Sequence, residues 1–336
     1  MTYDIRRGVS LYSFQNDTFL GRMTLEDCIR TCAEMGAMGI EIVGEQTFWG
    51  WPEVGVADEK IEEWHGLMAK YGTVPVAHDF MLDYKRYKGQ KMPFDEQVAS
   101  VRKDIDFGAR LGMKFIRSLV SLEPEVLVAA APYAEEKGIK ILLEVHAPLH
   151  FDHPWILRHA EAYDKAGTDA LGFLPDMGVF LYRYPRVWKE RFIRNGVPSD
   201  AADFIEQSFN DRRLAEYVVN DVIEKWGPGP QMGMVETLRH NGAFSPKRML
   251  DFIPRIHNIH AKFYEMTEDC VEFSIPYDEV FEVLRKGGYK GYICSEYEGN
   301  RWVEDAQEVE SLEQVRRQQH MFCNLLGETM PKALVA

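Results

Sequence analysis

The octapeptide ILLEVHAP, residues 141–148, joins an apolar run to a carboxylate and an imidazole. Residues 141–143 are typical of a buried strand, and Glu144 and His146 follow two positions apart. Side chains two apart on a strand lie on the same face, so both groups are expected to reach one place. A carboxylate beside an imidazole can bind a metal ion or transfer a proton.

Three other apolar runs end in the same kind of residue. Asp176 follows ALGFLP, His260 lies in RIHNIHAKF, and Glu296 lies in GYICSEY. Each residue alone has a simpler explanation, such as a salt-bridged strand end, a turn or a satisfied core histidine. Together, three carboxylates and one imidazole suit Mn²⁺, Mg²⁺ or Co²⁺, and because none of the four residues is a cysteine, a structural zinc site is disfavoured. The pattern predicts a divalent-metal site formed by Glu144, Asp176, His260 and Glu296.

The order of the segments predicts the fold that positions these groups. Apolar strand-like runs alternate with helical segments, whose boundaries carry an N-cap at Thr24 and helix-ending glycines at Gly36 and Gly72. The runs lie at 8–13, 39–44, 73–80, 113–120, 139–146, 170–176, 255–263 and 291–297. The pattern predicts an α/β fold, a (β/α)₈ TIM barrel. A doubly wound sheet is disfavoured because SLYSFQND, at the first strand end, has no glycine-rich turn.

We expect a single TIM-barrel domain over residues 1–336, with a helical insertion at about 178–251 between strands six and seven. The insertion is rich in aromatic residues. These could form the core of a helical lid, line a pocket for an aromatic ligand or contact a partner subunit. RYPRVWKERF, residues 183–192, is both basic and aromatic, so we expect it at the rim of the site or at an interface.

In a TIM barrel the functional groups stand at the C-terminal ends of the strands. Besides the four metal ligands, those ends carry Glu41, Glu45 and Asp79. Trp49 and Trp51 lie in the loop after strand two, where they would stack on a flat ligand or cap the barrel rim. The residues expected to bind substrate are His78, Trp49, Trp51, Arg117, Lys262 and Glu298.

Composition excludes several classes of protein. A formal charge of −14 disfavours nucleic acid and anionic membranes as partners. The chain has no stretch of about 18 apolar residues, and its first residues, MTYDIRRGVSLYSF, lack the apolar segment of a secretion signal. Five cysteines without zinc-ribbon spacing are expected to be reduced thiols. A cytoplasmic enzyme is therefore expected.

The motifs ILLEVH, FLPDMG, HNIHAKF and YICSEYEG, in this order, resemble the xylose isomerase-like TIM barrels of sugar-phosphate isomerases, epimerases and inosose dehydratases. That resemblance implies a divalent ion, usually Mn²⁺. Matched motif by motif, the ion would be bound by Glu144, Asp176, His260 and Glu296. The acidic charge and the few histidine ligands disfavour a related nuclease, and a scaffold subunit would not need four metal ligands.

Several positions depart from the epimerase pattern. Phe180 stands where many epimerases have a histidine, and Phe263 follows Lys262 where an aspartate is common. With RGVSLYSFQ, TLEDCI and GIEIVGEQ near the N-terminus, the chain more closely resembles the α subunit of bacterial C-glycoside deglycosidases. This resemblance implies cleavage of the carbon–carbon bond between a 3-oxo-sugar and an aromatic aglycone, in a hetero-oligomer with a small β subunit. The alternative is a sugar isomerase, epimerase or inosose dehydratase.

All of these reactions remove a proton from carbon next to a carbonyl. A divalent ion would stabilise the resulting enolate as a Lewis acid, and a base is needed near the proton. We expect His146 to be the base, because it shares a face with Glu144; alternatively it orients Glu144 or a substrate hydroxyl. In an epimerase, Glu144 and Glu296 would themselves exchange protons. The acid that protonates the leaving group stays open between His78 and Glu298.

Overall fold

The computed structural model describes residues 4–80, 82, 86–242 and 244–331. Parallel strands form one eight-stranded sheet, so the predicted (β/α)₈ barrel is confirmed. The strands are β1 (Arg6–Ser10), β2 (Gly39–Val43), β3 (Val74–Phe80), β4 (Phe115–Ser118), β5 (Lys140–Val145), β6 (Leu171–Pro175), β7 (Asn258–Phe263) and β8 (Tyr292–Tyr297).

The sheet curls into a nearly closed barrel. Strand β1 pairs with both β2 and β8, and the full order is β6-β5-β4-β3-β2-β1-β8-β7. Among the described residues, β6 and β7 are joined by the bridges Phe173–Ile256 and Asp176–His260 in place of a continuous ladder. The second bridge brings two of the predicted metal ligands together.

The helices surround the barrel and follow the predicted boundaries. Thr24 accepts a hydrogen bond from the Asp27 N–H at 3.1 Å and forms a capping box. Gly72 ends a helix with a positive φ, which glycine adopts without a Cβ clash. The helices are α1 (Gln15–Phe19), α2 (Leu25–Glu34), α3 (Gly44–Thr47), α4 (Asp58–Tyr71), α5 (Phe94–Arg110), α6 (Pro124–Lys137), α7 (Pro154–Ala166), α8 (Arg186–Arg194), α9 (Ser199–Asn210), α10 (Ala215–Trp226), α11 (Gln231–His240), α12 (Tyr277–Lys286), α13 (Asn300–Val303) and α14 (Ser311–Leu326).

Between β6 and β7 the chain forms the four helices α8 to α11, all within residues 178–251. Trp188 of α8 is buried; it stacks on Trp302 at 4.9 Å and meets the edge of Tyr264 at 4.8 Å. Arg186 pairs with Glu265 at 2.6 Å. Helix α8 is therefore packed against the segments that follow β7 and β8, and Trp188 contributes to a core more than to an open rim.

His257, just before β7, gives the fold a predicted sensitivity to acid. Burial, with Lys140 and Arg255 nearby, lowers its pKa to about 4 from the usual value of about 6.5. A histidine that folding keeps neutral stabilises the fold above pH ~6.5, and this stabilisation is lost as pH falls toward 4. The free energy of unfolding should fall between pH 7 and pH 5 in the wild type, and we expect this fall to be roughly 1 kcal/mol smaller in His257→Gln. The figure is reduced to allow for the partial exposure of His257.

Urea unfolding at the two pH values measures this difference. His240→Gln is the matched control, because it is the same change at an exposed histidine, the last residue of α11. Equal acid sensitivity of His257→Gln and the wild type would contradict the assignment.

No helix among the described residues is long and apolar enough to cross a membrane. All five cysteines are free.

Candidate metal centre

The four predicted ligands meet at the C-terminal end of the barrel. Glu144, Asp176, His260 and Glu296 are all buried, and one ligand atom from each lies within 4.8 Å of the others. The His260 Nδ1 lies 2.8 Å from Glu144 Oε1 and 3.4 Å from Glu296 Oε1. These residues come from β5, the end of β6, β7 and β8, so neighbouring strands bring distant parts of the sequence to one point.

Asp176 depends on the glycine that follows it at position 178. The Gly178 N–H donates a hydrogen bond to Asp176 Oδ1 at 2.6 Å, which turns Oδ2 toward Lys262. A Cβ at position 178 would lie 2.9 Å from Asp176 Oδ1 and 3.0 Å from the Lys262 Cδ. The DMG motif therefore leaves the room that the carboxylate and the lysine need.

The electrostatics of the cluster fit a divalent cation. Burial raises the pKa of Glu296 to about 8 in the chain alone, because a further negative charge is unfavourable there. Burial opposes ionisation of Glu144 as well, but Arg117 and His260 hold its pKa well below the usual value. Glu296 Oε2 is buried and accepts no hydrogen bond from a described residue. A cation among these oxygen atoms would reduce the repulsion between the carboxylates and give Glu296 Oε2, which lies 3.7 Å from the Lys262 Nζ, a closer partner.

Two protein cations flank the ligands. Lys262 Nζ lies 2.6 Å from Asp176 Oδ2 and 3.4 Å from Glu298 Oε2. Burial alone would lower the pKa of Lys262, but Asp176 and Glu298 outweigh it and raise the pKa well above its usual value. Arg117 donates from Nη2 to Asp79 at 2.9 Å, while its Nε and Nη1 donate no hydrogen bond to a described residue. The site thus presents an ammonium and a partly unengaged guanidinium to a ligand.

His146 lies at the edge of the cluster with 40% of its side chain exposed. Its Nδ1 is 2.6 Å from the carbonyl oxygen of Ala147, which can only accept, so Nδ1 donates. Its Nε2 then accepts from the Lys262 ammonium at 3.0 Å. In this arrangement the Nε2 of His146 points toward Lys262 and lies 3.7 Å from Asp176 Oδ2.

A cavity of about 360 Å³ opens above the ligands. Glu144, Glu296 and His146 line it, together with Arg117, Lys262 and Glu298, three of the residues expected to bind substrate. It also has an apolar wall formed by Val43, Leu119 and Val120. Such a mixture of polar and apolar walls is typical of a small-molecule site.

Sequence reasoning missed Tyr12 and Arg301, which also line the cavity. The Tyr12 hydroxyl donates to Glu298 Oε1 at 3.2 Å and accepts from Arg301. Burial and Glu298 raise the pKa of Tyr12 to about 12, so it stays a neutral phenol. Tyr12 comes two residues after the end of β1, and this position at the C-terminal end of a strand is the signal that could have identified it.

The structure does not bring His78 to the cavity, contrary to the sequence prediction. Side chains alternate along β3, so Asp79 points into the barrel and His78 points outward. His78 is buried against α5, with Nε2 3.0 Å from Asp104 Oδ1 and its ring edge-on to Phe107. Because His78 lies outside the cavity, it is also not placed to act as the acid that protonates the leaving group.

The two tryptophans predicted to stack on substrate do not line the cavity either. Trp51 is buried and stacks on Phe107 at 3.9 Å, so it supports the barrel wall. Trp49 is 99% exposed and lies in the loop outside the cavity. Trp49 also lines a neighbouring pocket with Gln15, Gln46 and Arg301, which belong to the cavity lining as well, so its contact with a ligand stays a prediction, whereas Trp51 is held in the wall.

Comparison with known proteins assigns the family. Residues 29–319 match the family described as xylose isomerase-like TIM barrel. The C-glycoside deglycosidase alpha subunit of Microbacterium trichothecenolyticum is 30% identical over 316 residues, covering 88% of this chain and 84% of that protein. The 3′-dehydrocarminate deglycosidase alpha subunit of a Microbacterium species is 28% identical over 316 residues, covering 88% and 89%.

Solved structures share the fold at low sequence identity. The structure of an L-ribulose 3-epimerase has a TM-score of 0.57 at 11% identity, covering 96% of this chain and 95% of that one. The IolI protein with a bound zinc atom has a TM-score of 0.54 at 12% identity, covering 96% and 98%. Because residues 29–319 match the family, the chain belongs to the xylose isomerase-like TIM barrels and is a sequence relative of C-glycoside deglycosidase alpha subunits.

Proposed function

We propose that this protein is a metal-dependent carbon–carbon lyase that cleaves 3-oxo-C-glycosides. The observation that carries the proposal is the convergence of Glu144, Asp176, His260 and Glu296 beneath a cavity that also contains His146 and Lys262. Relatives named C-glycoside deglycosidase alpha subunit, and one named for a 3′-dehydro substrate, support this reaction over others of the fold.

The four ligands would hold Mn²⁺, with Mg²⁺ and Co²⁺ as alternatives, since oxygen and imidazole ligands accept all three. The bound zinc of the IolI protein supports divalent binding in a related barrel. When bound, such an ion supplies Lewis-acid stabilisation to the carbonyl of a ketone substrate.

His146 would remove the proton from the sugar carbon next to the ketone. Its Nε2 accepts from Lys262 at 3.0 Å in the free chain. A substrate oxygen that takes the Lys262 N–H frees the Nε2 lone pair for the proton at C2. The electron pair of that C–H bond forms the enolate, and Arg117 can donate to its oxygen, because its Nε and Nη1 form no hydrogen bond with a described residue and Nη1 lies 3.6 Å from Glu144 Oε2.

Collapse of the enolate breaks the bond between C1 and the aglycone carbon, which leaves with the electron pair and needs a proton. Burial opposes ionisation of Glu298, but Lys262 and Arg301 outweigh it and lower its pKa, which makes Glu298 a poor acid at neutral pH. Tyr12 offers a neutral O–H in the same cavity. Tyr12 is therefore our candidate for the proton donor.

The second candidate function is a sugar isomerase, epimerase or inosose dehydratase. Glu144 and Glu296 both face the His260 Nδ1, at 2.8 and 3.4 Å, so two carboxylates could exchange protons without an imidazole base. The L-ribulose 3-epimerase structure supports this alternative at the level of the fold. Phe180, buried and outside the cavity, cannot supply the histidine that many epimerases carry at this position.

The decisive test is incubation of the Mn²⁺-loaded chain with a 3-oxo-C-glucoside, such as oxidised puerarin, and with simple ketohexoses. We expect release of the free aglycone, read by chromatography, and no epimerised ketose. The relatives are named alpha subunits, so the chain should be co-expressed with a candidate small β subunit, which we expect to co-purify. Epimerised ketose without aglycone release would replace the lyase by the second candidate.

A further inference from the structure

The imidazole of His260 faces carboxylates on both sides. Its Nδ1 points toward the predicted metal ligands Glu144 and Glu296, and its Nε2 lies 2.9 Å from Glu41 Oε1. Both His260 and Glu41 are completely buried, deep in the barrel below the cavity. Neither Nε2 nor Glu41 Oε1 forms an aligned hydrogen bond with any described residue, so their 2.9 Å contact is close but not aligned as a hydrogen bond. The Nε2 of His260 lies nearer to Glu41 Oε1 than to Asp79 Oδ2, which is 3.6 Å away and already pairs with Arg117.

Glu41 is itself anchored at its second oxygen. Asn258, two residues before His260 on β7, donates from Nδ2 to Glu41 Oε2 at 2.5 Å. Cys294 of β8 donates from Sγ to the Asn258 Oδ1 at 3.5 Å. This chain of contacts holds the carboxylate of Glu41 in place and leaves Oε1 directed at the ring of His260.

A second metal ion in this deeper position is disfavoured. Glu41, Asp79 and His260 could together offer three ligand atoms. However, the Arg117 guanidinium already pairs with Asp79 at 2.9 Å, and Asn258 occupies one oxygen of Glu41. A neutral imidazole has one lone pair, so His260 cannot bind an ion through Nδ1 and another through Nε2. The deeper carboxylate is better suited to accept a hydrogen bond.

We propose that Glu41 is a positioning residue that accepts the Nε2–H of His260 when Nδ1 binds the metal ion. This inference rests on the proposed metal-dependent function. An imidazole that ligates through Nδ1 carries its remaining proton on Nε2. A carboxylate that accepts this proton fixes the tautomer and the ring orientation and makes Nδ1 a stronger donor to the ion.

The test is the metal affinity of Glu41→Gln, measured by competition with a chromophoric chelator and using Mn²⁺ and Zn²⁺ alone. Glutamine keeps the size of the side chain, but it removes the charge and puts an NH₂ group against either the His260 N–H or the Asn258 amide. We expect the dissociation constant to rise by roughly 10- to 100-fold. The Co²⁺-substituted variant should also show a changed visible absorption spectrum, because the ring of His260 is no longer held.

Glu45→Gln is the matched control. It is the same chemical change in the segment that directly follows β2, at a half-buried carboxylate outside the metal cluster, and we expect its affinity to stay within twofold of wild type. Asn258→Ala is a second variant, in which Glu41 keeps its charge but loses its anchor. We expect Asn258→Ala to weaken binding less than Glu41→Gln does, and circular dichroism of the metal-free proteins checks that each is folded.

The outcomes separate the inference from the proposed function. Unchanged affinity of folded Glu41→Gln would overturn the positioning role while leaving the metal site intact. Two ions per wild-type chain and one per Glu41→Gln chain would overturn it in favour of a deeper cation site. A wild-type chain that binds no divalent ion would refute the proposed function and this inference together.

Discussion

Asp176→Asn should release the divalent ion and reduce turnover by roughly a thousandfold or more. The substitution keeps the size of the side chain but removes one of three carboxylate charges from the buried cluster, and it leaves Lys262 without its 2.6 Å ion pair. Lewis-acid stabilisation is worth several kcal/mol, and each 1.36 kcal/mol of barrier corresponds to about a tenfold change in rate. Elemental analysis of the purified variant and steady-state kinetics measure the two effects.

Removal of the ion from the wild type by a chelator should have the same effect on turnover, and added Mn²⁺ should restore it in the wild type but not in Asp176→Asn. The exposed Asp95, at the start of α5, provides the control Asp95→Asn, which should keep both the ion and the activity. An Asp176→Asn protein that retains a full complement of metal would show that Asp176 is not a ligand.

His146→Ala should keep the metal and lose about 10²- to 10⁴-fold in turnover, the usual contribution of a general base. His146 is partly exposed at the edge of the cluster and outside the four-residue ligand set, so its removal should leave metal affinity unchanged. The Nε2 atom of His146 faces Lys262, and the side chain lines the cavity. Kinetics on a 3-oxo-C-glucoside, together with metal analysis of the same sample, test both parts.

The control is His150→Ala, four residues along the same loop. His150 stacks on Phe244 at 3.8 Å and lines a different cavity, so its loss should leave turnover within a few-fold of wild type. Normal activity of metal-loaded His146→Ala would remove His146 from the mechanism. It would also favour the scheme in which Glu144 and Glu296 transfer protons.

The barrel and the convergence of the four candidate ligands were predictable because both depend on features that repeat along the chain. Alternating apolar runs and capped helices indicate a (β/α)₈ barrel, and such a barrel brings the ends of neighbouring strands together. Glu144, Asp176, His260 and Glu296 each lie near the end of an apolar run. Their meeting within 4.8 Å therefore follows from strand order more than from the details of side-chain packing.

The roles of the flanking residues were less predictable, because both faces of a barrel strand are buried. In VPVAHDF, residues 74–80, His78 and Asp79 are both polar and adjacent, and no apolar–polar alternation shows which one points inward. The register of β3 against β4 decides this, since it sets Asp79 beside Arg117 and turns His78 toward α5. Sequence reasoning chose His78 as a substrate ligand, and the structure places Asp79 inside instead.

Glu41 is a second residue whose contacts could not be predicted from the sequence. Its place within the second strand is visible in GIEIVG, but its contact with His260 joins residues that lie far apart in the chain. The amino-acid sequence alone thus determined the strand order, the ligand types and the chemistry that they can support, because these depend on local patterns. Only the tertiary structure decided which buried polar residues face the candidate metal site, which contact its candidate ligands and which support the barrel wall, because those positions depend on strand register and on contacts between distant residues.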